Sequence, residues 1–152
     1  MSIKLILPFV LAASLFSCQK GADEPTETSR KALIIGSWQL TGNVETPATY
    51  DFDSDGIKDS DTYKFMGTCF TDNLTVFRPD GNCEENEGPT KCEAADPQVI
   101  LAPWTLSADE KILTIDDDVY TVVEVNATTM KLSYTDVVID TQVTTVATLT
   151  RR

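Results

Sequence analysis

Histidine is absent from the 152 residues. That removes the commonest general base, the usual partner of a serine or cysteine nucleophile, and the commonest ligand of zinc or copper. Catalytic triads and His-based metal centres are therefore excluded. Basic side chains are scarce as well, 12 against 24 acidic ones, and a surface of that sign repels phosphate backbones, which excludes nucleic acid as a partner. Apart from one stretch at the start, long apolar runs are missing, and only short alternating segments follow. The length suits a single domain able to bury a core.

The one long apolar stretch is Leu5–Phe16, preceded by Lys4. It has the charged start and short apolar core of a secretory signal and is too short to span a bilayer as a stable helix. Leu15-Phe16-Ser17-Cys18 resembles the bacterial lipobox, in which the signal is cut before the cysteine and that cysteine carries the lipid. The resemblance implies a signal peptide over residues 1–17, lipidation at Cys18 and a permanent membrane anchor, each buried methylene contributing about 0.8 kcal/mol. Cleavage removes Lys4 and no acid, leaving 11 basic against 24 acidic side chains, a formal net of −13. Gln19-Lys20-Gly21-Ala22-Asp23-Glu24 is similar to the short acidic export signals of surface lipoproteins in Bacteroidetes, which implies an outer-membrane lipoprotein exposed at the cell surface. Residues 18–31 contain no apolar run to offset their ordering entropy and are expected to be a flexible tether. Its coil reaches roughly 20 Å.

Residues 32–152 are then the folded domain. Its opening stretch, residues 33–40, alternates with a period of two, placing Ile34, Gly36, Trp38 and Leu40 on one face, so a first strand over these residues is expected. Residues 29–34 are also read as one helical turn leading into it, with Ser29 placed to cap that turn. Strands are also expected at 73–78, ending in the turn Pro79-Asp80-Gly81, and at 99–106, where Pro103 removes a ladder donor and implies an edge or a bulge. Further strands are read at 111–115, 119–125, 129–134 and 142–150. Short links and no long helix predict an all-β fold, a small antiparallel up-and-down barrel or half-barrel of about eight strands.

Gly36-Ser37-Trp38 matches the Gly-x-Trp signature that opens the first strand of lipocalins. With Leu40, the Asp-Gly loop, Cys69 before Asp72-Asn73, the Pro79-Asp80-Gly81 turn, Thr90-Lys91-Cys92, Trp104-x-Leu106 and Met130-x-Leu132-x-Tyr134, residues 33–150 resemble the lipocalin-like lipoproteins of Bacteroidetes. The resemblance implies a lipocalin-like barrel that holds a small apolar ligand, with Gly36 and Trp38 as its structural signature and a basic residue, here Arg151 or Arg152, over the Trp. It leaves the ligand-contacting residues unknown. Trp38, Phe77, Trp104, Met130 and Tyr134 are equally able to fill the interior, in which case the domain is a structural or interaction module meeting a protein or a glycan.

The sharpest chemical pattern is the loop Asp51-Phe52-Asp53-Ser54-Asp55-Gly56-Ile57-Lys58-Asp59-Ser60-Asp61. Asp51, Asp53 and Asp55 alternate, Gly56 permits the turn, the Ile57 carbonyl falls at the seventh position and Asp59 at the ninth, as in a calcium loop. The twelfth position is Thr62, so Asp61 would have to close the site from one residue early. Ca²⁺ is the candidate cofactor; the competing reading is a solvated turn. Other acids, Glu84, Glu85, Glu87 and Asp116 to Asp118, read as solvated charge at turns, and no enzyme activity is expected.

With Cys18 lipidated, Cys69, Cys83 and Cys92 are an odd number in an oxidising compartment, so one stays free or pairs elsewhere. The resemblance supplies the positions of Cys69 and Cys92 and implies that these two pair; Cys83 with Cys92 is the competitor. Cys83, read as lying in the turn after Gly81, lacks a His to activate it and sits beside two glutamates, so it is not a candidate nucleophile.

Overall fold

The structure is a computed structural model and describes residues 28–152. The leader, the lipobox with Cys18, and the tether as far as residue 27 lie outside the described residues. Eight antiparallel strands, β1 (Gly36–Thr46), β2 (Leu74–Phe77), β3 (Asn82–Asn86), β4 (Val99–Leu106), β5 (Ile112–Ile115), β6 (Asp118–Val125), β7 (Thr129–Val138) and β8 (Thr141–Arg151), pair in sequence order. The last returns to the first, with Trp38 opposite Arg151 and Thr46 opposite Thr144, so the barrel is closed rather than half open.

The opening stretch departs from the expected strand. Residues Arg30–Ile34 form a helical turn, α1, capped by Ser29, whose Oγ accepts the Ala32 N–H at 3.2 Å. The strand starts only at Gly36, whose φ of +139° suits glycine and makes the corner between helix and sheet. A Cβ there would collide with the Arg151 guanidinium. Ile34 and Trp38 nevertheless meet, because the Trp38 indole N–H donates to the Ile34 carbonyl at 2.7 Å. The domain also begins before residue 32. The Arg30 backbone N–H donates to Glu110 at 2.8 Å and its guanidinium to the Val122 carbonyl at 2.9 Å, which fastens α1 to the barrel.

Two other expectations are corrected. Residues 82–86 are a strand, not a turn, and Cys83 is buried on its inner face opposite Phe77 of β2 and Ala102 of β4. The consecutive acids Glu84 and Glu85 masked the alternation, since one points out and the other in. Pro103 marks neither an edge nor a bulge. It is opposite Asn82, the last register pair between β3 and β4, and the β4–β5 pairing starts one residue later at Trp104. The Pro103 carbonyl accepts the Asp116 N–H at 2.8 Å, so its missing donor interrupts no ladder.

Because the strands run up and down, their connections alternate between the two ends. α1, the Pro79-Asp80-Gly81 turn, the 107–111 turn and the 126–128 turn lie at one end. The 47–73 segment, the 87–98 loop and the Asp116-Asp117 and Ile139-Asp140 turns lie at the other. The packed core occupies the first end: Trp38, Ile34, Phe77, Leu113, Met130 and Cys83 are among its fully buried side chains. The Phe77 and Trp104 rings meet edge to face at 5.4 Å, and the Trp104 indole donates to the Arg78 carbonyl at 3.0 Å. Arg151 closes this end from outside, its guanidinium 4.5 Å from the Trp38 ring centroid.

Candidate functional site

The other end of the barrel is hollow. A cavity of about 310 Å³ lies above the core, at the small end of the range for ligand pockets. Its floor and lower wall are aliphatic and aromatic: Leu40, Phe77, Ile115, Leu132, Ala147 and Leu149. Strand alternation puts them there, since each lies on the inner face of its strand. Higher up the lining turns polar, with Asn43 on β1, Glu85 on β3, Tyr120 on β6 and Tyr134 on β7. Ligand-contacting residues are not legible in the chain; of the expected interior side chains, Phe77 and Tyr134 line the cavity while Trp38, Trp104 and Met130 pack below it. Glu85 is the least expected of the lining residues. Its register partners Thr75 and Ile100 carry no charge, and only the pairing of β3 with both neighbours shows that it faces the cavity side.

The segment between β1 and β2 roofs part of this mouth. It contains the 3₁₀ turn Thr62–Phe65 and the short helix α2 (Thr68–Thr71), and it contributes Met66 and Phe70 to the lining. Specific bonds hold it down: buried Asn43 donates to the Thr62 hydroxyl at 2.7 Å, Gln39 donates to the Thr71 carbonyl at 2.7 Å, and Glu45 N–H donates to the Ser60 carbonyl at 2.8 Å. A disulfide between Cys69 and Cys92 then ties this segment to the 87–98 loop across the same mouth. Phe70 keeps 58% of its surface exposed, although it belongs to the lining.

Tyr120 and Tyr134 meet edge to face at 5.7 Å. Burial pushes the Tyr120 phenol up to about 12, with the carboxylates of Asp118 and Glu85 adding to the effect. Cys83 is the free cysteine among the described residues, and burial, followed by the charges of Glu85 and Glu84, raises its thiol to about 12. It stays protonated and inert as a nucleophile at neutral pH.

The aspartate loop lies outside the barrel, between β1 and the 3₁₀ turn. Asp51, Asp53 and Asp59 each bring one carboxylate oxygen within 4.8 Å of the others. Asp51 also accepts the N–H groups of Asp55 and Gly56, at 3.1 and 2.8 Å, and Asp59 accepts that of Phe52 at 2.9 Å. Asp53 accepts the Asp55 N–H, which lowers its pKa, but burial and the charges of Asp55, Asp59 and Asp51 outweigh it and the net shift is upward. The structure does not bring the remaining sequence candidates into this group. The Asp55 carboxylate accepts the Ile57 N–H at 2.8 Å, Ile57 is largely exposed, and Asp61 pairs with Lys64 at 3.1 Å. Three carboxylates converging at this spacing are a donor set suited to a hard cation. Rings close the loop against the roof: Phe52 stacks on Phe65 with centroids 5.2 Å apart.

A closed eight-stranded barrel, packed and covered at one end and hollow at the other, defines a protein of the calyx class. Residues 34–132 match the family described as the lipocalin-like domain, and the chain belongs to that family. Solved structures with a similar arrangement include bovine odorant binding protein as a deswapped triple mutant, at 10% identity, covering 79% of this chain and 74% of that one with a TM-score of 0.41. They also include the complex of bovine odorant binding protein with a selenium-containing odorant, at 12% identity, 86% and 78% coverage and a TM-score of 0.42. No curated protein matches the chain.

Proposed function

We propose that this protein is a membrane-anchored binding protein, a lipoprotein displayed at the cell surface through Cys18, whose barrel takes a small apolar ligand in its open end. The observation that carries the binding role is the cavity of about 310 Å³ with an aliphatic and aromatic floor. Anchoring rests on the lipobox resemblance at Leu15-Phe16-Ser17-Cys18. The chain enters the barrel through α1 at the packed end, opposite the cavity. Native mass spectrometry of protein purified from its host, beside Ala147→Trp, tests the binding role. A co-purified small molecule lost in the variant is expected; no bound molecule, and no uptake of apolar probes by a folded wild type, would refute it. Metabolic palmitate labelling that survives Cys18→Ser would refute the anchor.

The second reading, a surface interaction module stabilised by Ca²⁺ and without a small ligand, is favoured by one observation, the convergence of Asp51, Asp53 and Asp59.

A further inference from the structure

The polar part of the cavity carries charge of one sign only. Glu85 lines the cavity, and a cleft lined by Asp117, Asp118 and Asp136 adjoins it, sharing Tyr120 and Tyr134. No lysine or arginine lines either space. The basic residues nearest in sequence or register are engaged elsewhere: Arg78 pairs with Glu84 on the outer face of β3, and Lys131 with Glu124 at 2.9 Å. Among the described residues no cation is paired with the Glu85 carboxylate. Beneath it the wall is apolar, and beside it stand the two tyrosine rings.

We infer that the cavity selects a cationic amphiphile, a protonated organic amine with a short apolar body, the body lying on Leu132, Ala147 and Leu149 and the ammonium held between Glu85 and the rings of Tyr120 and Tyr134. This rests on the binding role proposed above and specifies its ligand class. An ammonium here gains a counter-charge and the faces of electron-rich rings. A carboxylate of the same size meets like charge and no donor cation, so fatty acids are disfavoured. Burial is the main cause of the raised Tyr120 pKa, and the carboxylates of Asp118 and Glu85 add to it, which places both charges close enough for the phenol to feel them.

The test compares octylammonium, octanol and octanoate by calorimetric titration at pH 7 into the full chain carrying Cys18→Ser. Octylammonium is expected to bind roughly tenfold tighter than octanol, with octanoate weakest. Glu85→Gln is expected to remove most of that preference, and its melting temperature reports that the barrel is intact. Equal affinity for amine and alcohol, or tightest binding of octanoate, overturns the inference and leaves the binding role standing. A preference for the amine that survives Glu85→Gln in full also overturns it, since the attraction would then come from the acidic surface as a whole. Failure of all three molecules to bind the folded wild type overturns the binding role with it.

Discussion

Replacing Arg151 with alanine should be among the most costly single changes available at the end of the chain. The guanidinium lies 4.5 Å from the Trp38 centroid, and its nitrogens donate to the carbonyls of Ala127 at 2.8 Å, Ile35 at 3.0 Å and Leu33. Leu33 and Ile35 end α1, so one side chain joins the helix, β8, the 126–128 turn and the signature Trp. The ring contact contributes about 0.5–2 kcal/mol depending on how dry it is. Bonds from a charged donor contribute roughly 1.5–3 kcal/mol each in a mutational sense, but carbonyls freed at a half-exposed site regain water, so the three together count for far less than their sum. A loss of about 3 kcal/mol is expected, which lowers the melting temperature by roughly 10 °C in a domain of this size. Arg151→Lys keeps the charge and loses the fork, so it should recover less than half. Urea and thermal unfolding followed by tryptophan fluorescence measure both. A melting temperature within about 1 °C of wild type for Arg151→Ala would refute the account of how this end is sealed.

Reduction, or Cys69→Ser with Cys92→Ser, opens a crosslink between residues 23 apart and should cost about 3 kcal/mol in the chain-entropy model; urea unfolding with and without reductant checks it. If Asp51, Asp53 and Asp59 hold Ca²⁺, saturating calcium at 100 times the Kd stabilises by about 2.7 kcal/mol, read as a higher melting temperature that Asp51→Asn with Asp59→Asn abolishes; an unchanged midpoint removes calcium from the account. Cys83 has an ordinary thiol pKa of 9.0 and a folded value near 12, so its protonated form is favoured by folding. Its contribution is full below pH 9 and falls as pH rises toward 12, and unfolding free energy should decline there more steeply in wild type than in Cys83→Ala, at up to about 1.4 kcal/mol per pH unit. The same burial predicts that a thiol reagent at pH 8 labels Cys83 only after denaturation.

The period-two runs at 73–78, 99–106 and 129–134 and the Pro-Asp-Gly turn were legible in the chain because strand geometry and turn chemistry are local properties. So was the family resemblance, carried by Gly36, Trp38 and the motifs after them. The start of β1 was not. Ile34 continues the alternation in sequence and so overlaps the Ser29-capped helical turn that was also legible there; the corner at Gly36 sets the boundary between the two. β3 is not legible in the chain because Asn82 to Asn86 is mostly polar and acidic, and its membership of the sheet comes from partners on both sides rather than from its own composition.

The chain by itself therefore determined the class of fold, the lack of histidine chemistry and the presence of an acidic loop, because composition and short periodicities need no knowledge of distant neighbours. Only the tertiary structure decided that the sheet closes, that the core fills one end and leaves the other hollow, and that Glu85, Tyr120 and Tyr134 converge there from three strands. Closure depends on β1 meeting β8 from the far end of the domain, as where Trp38 lies opposite Arg151, and which side of a strand faces inward depends on the register set by that closure. A one-residue shift would turn Glu85 out and Glu84 in, so the character of the cavity mouth belongs to the assembled barrel.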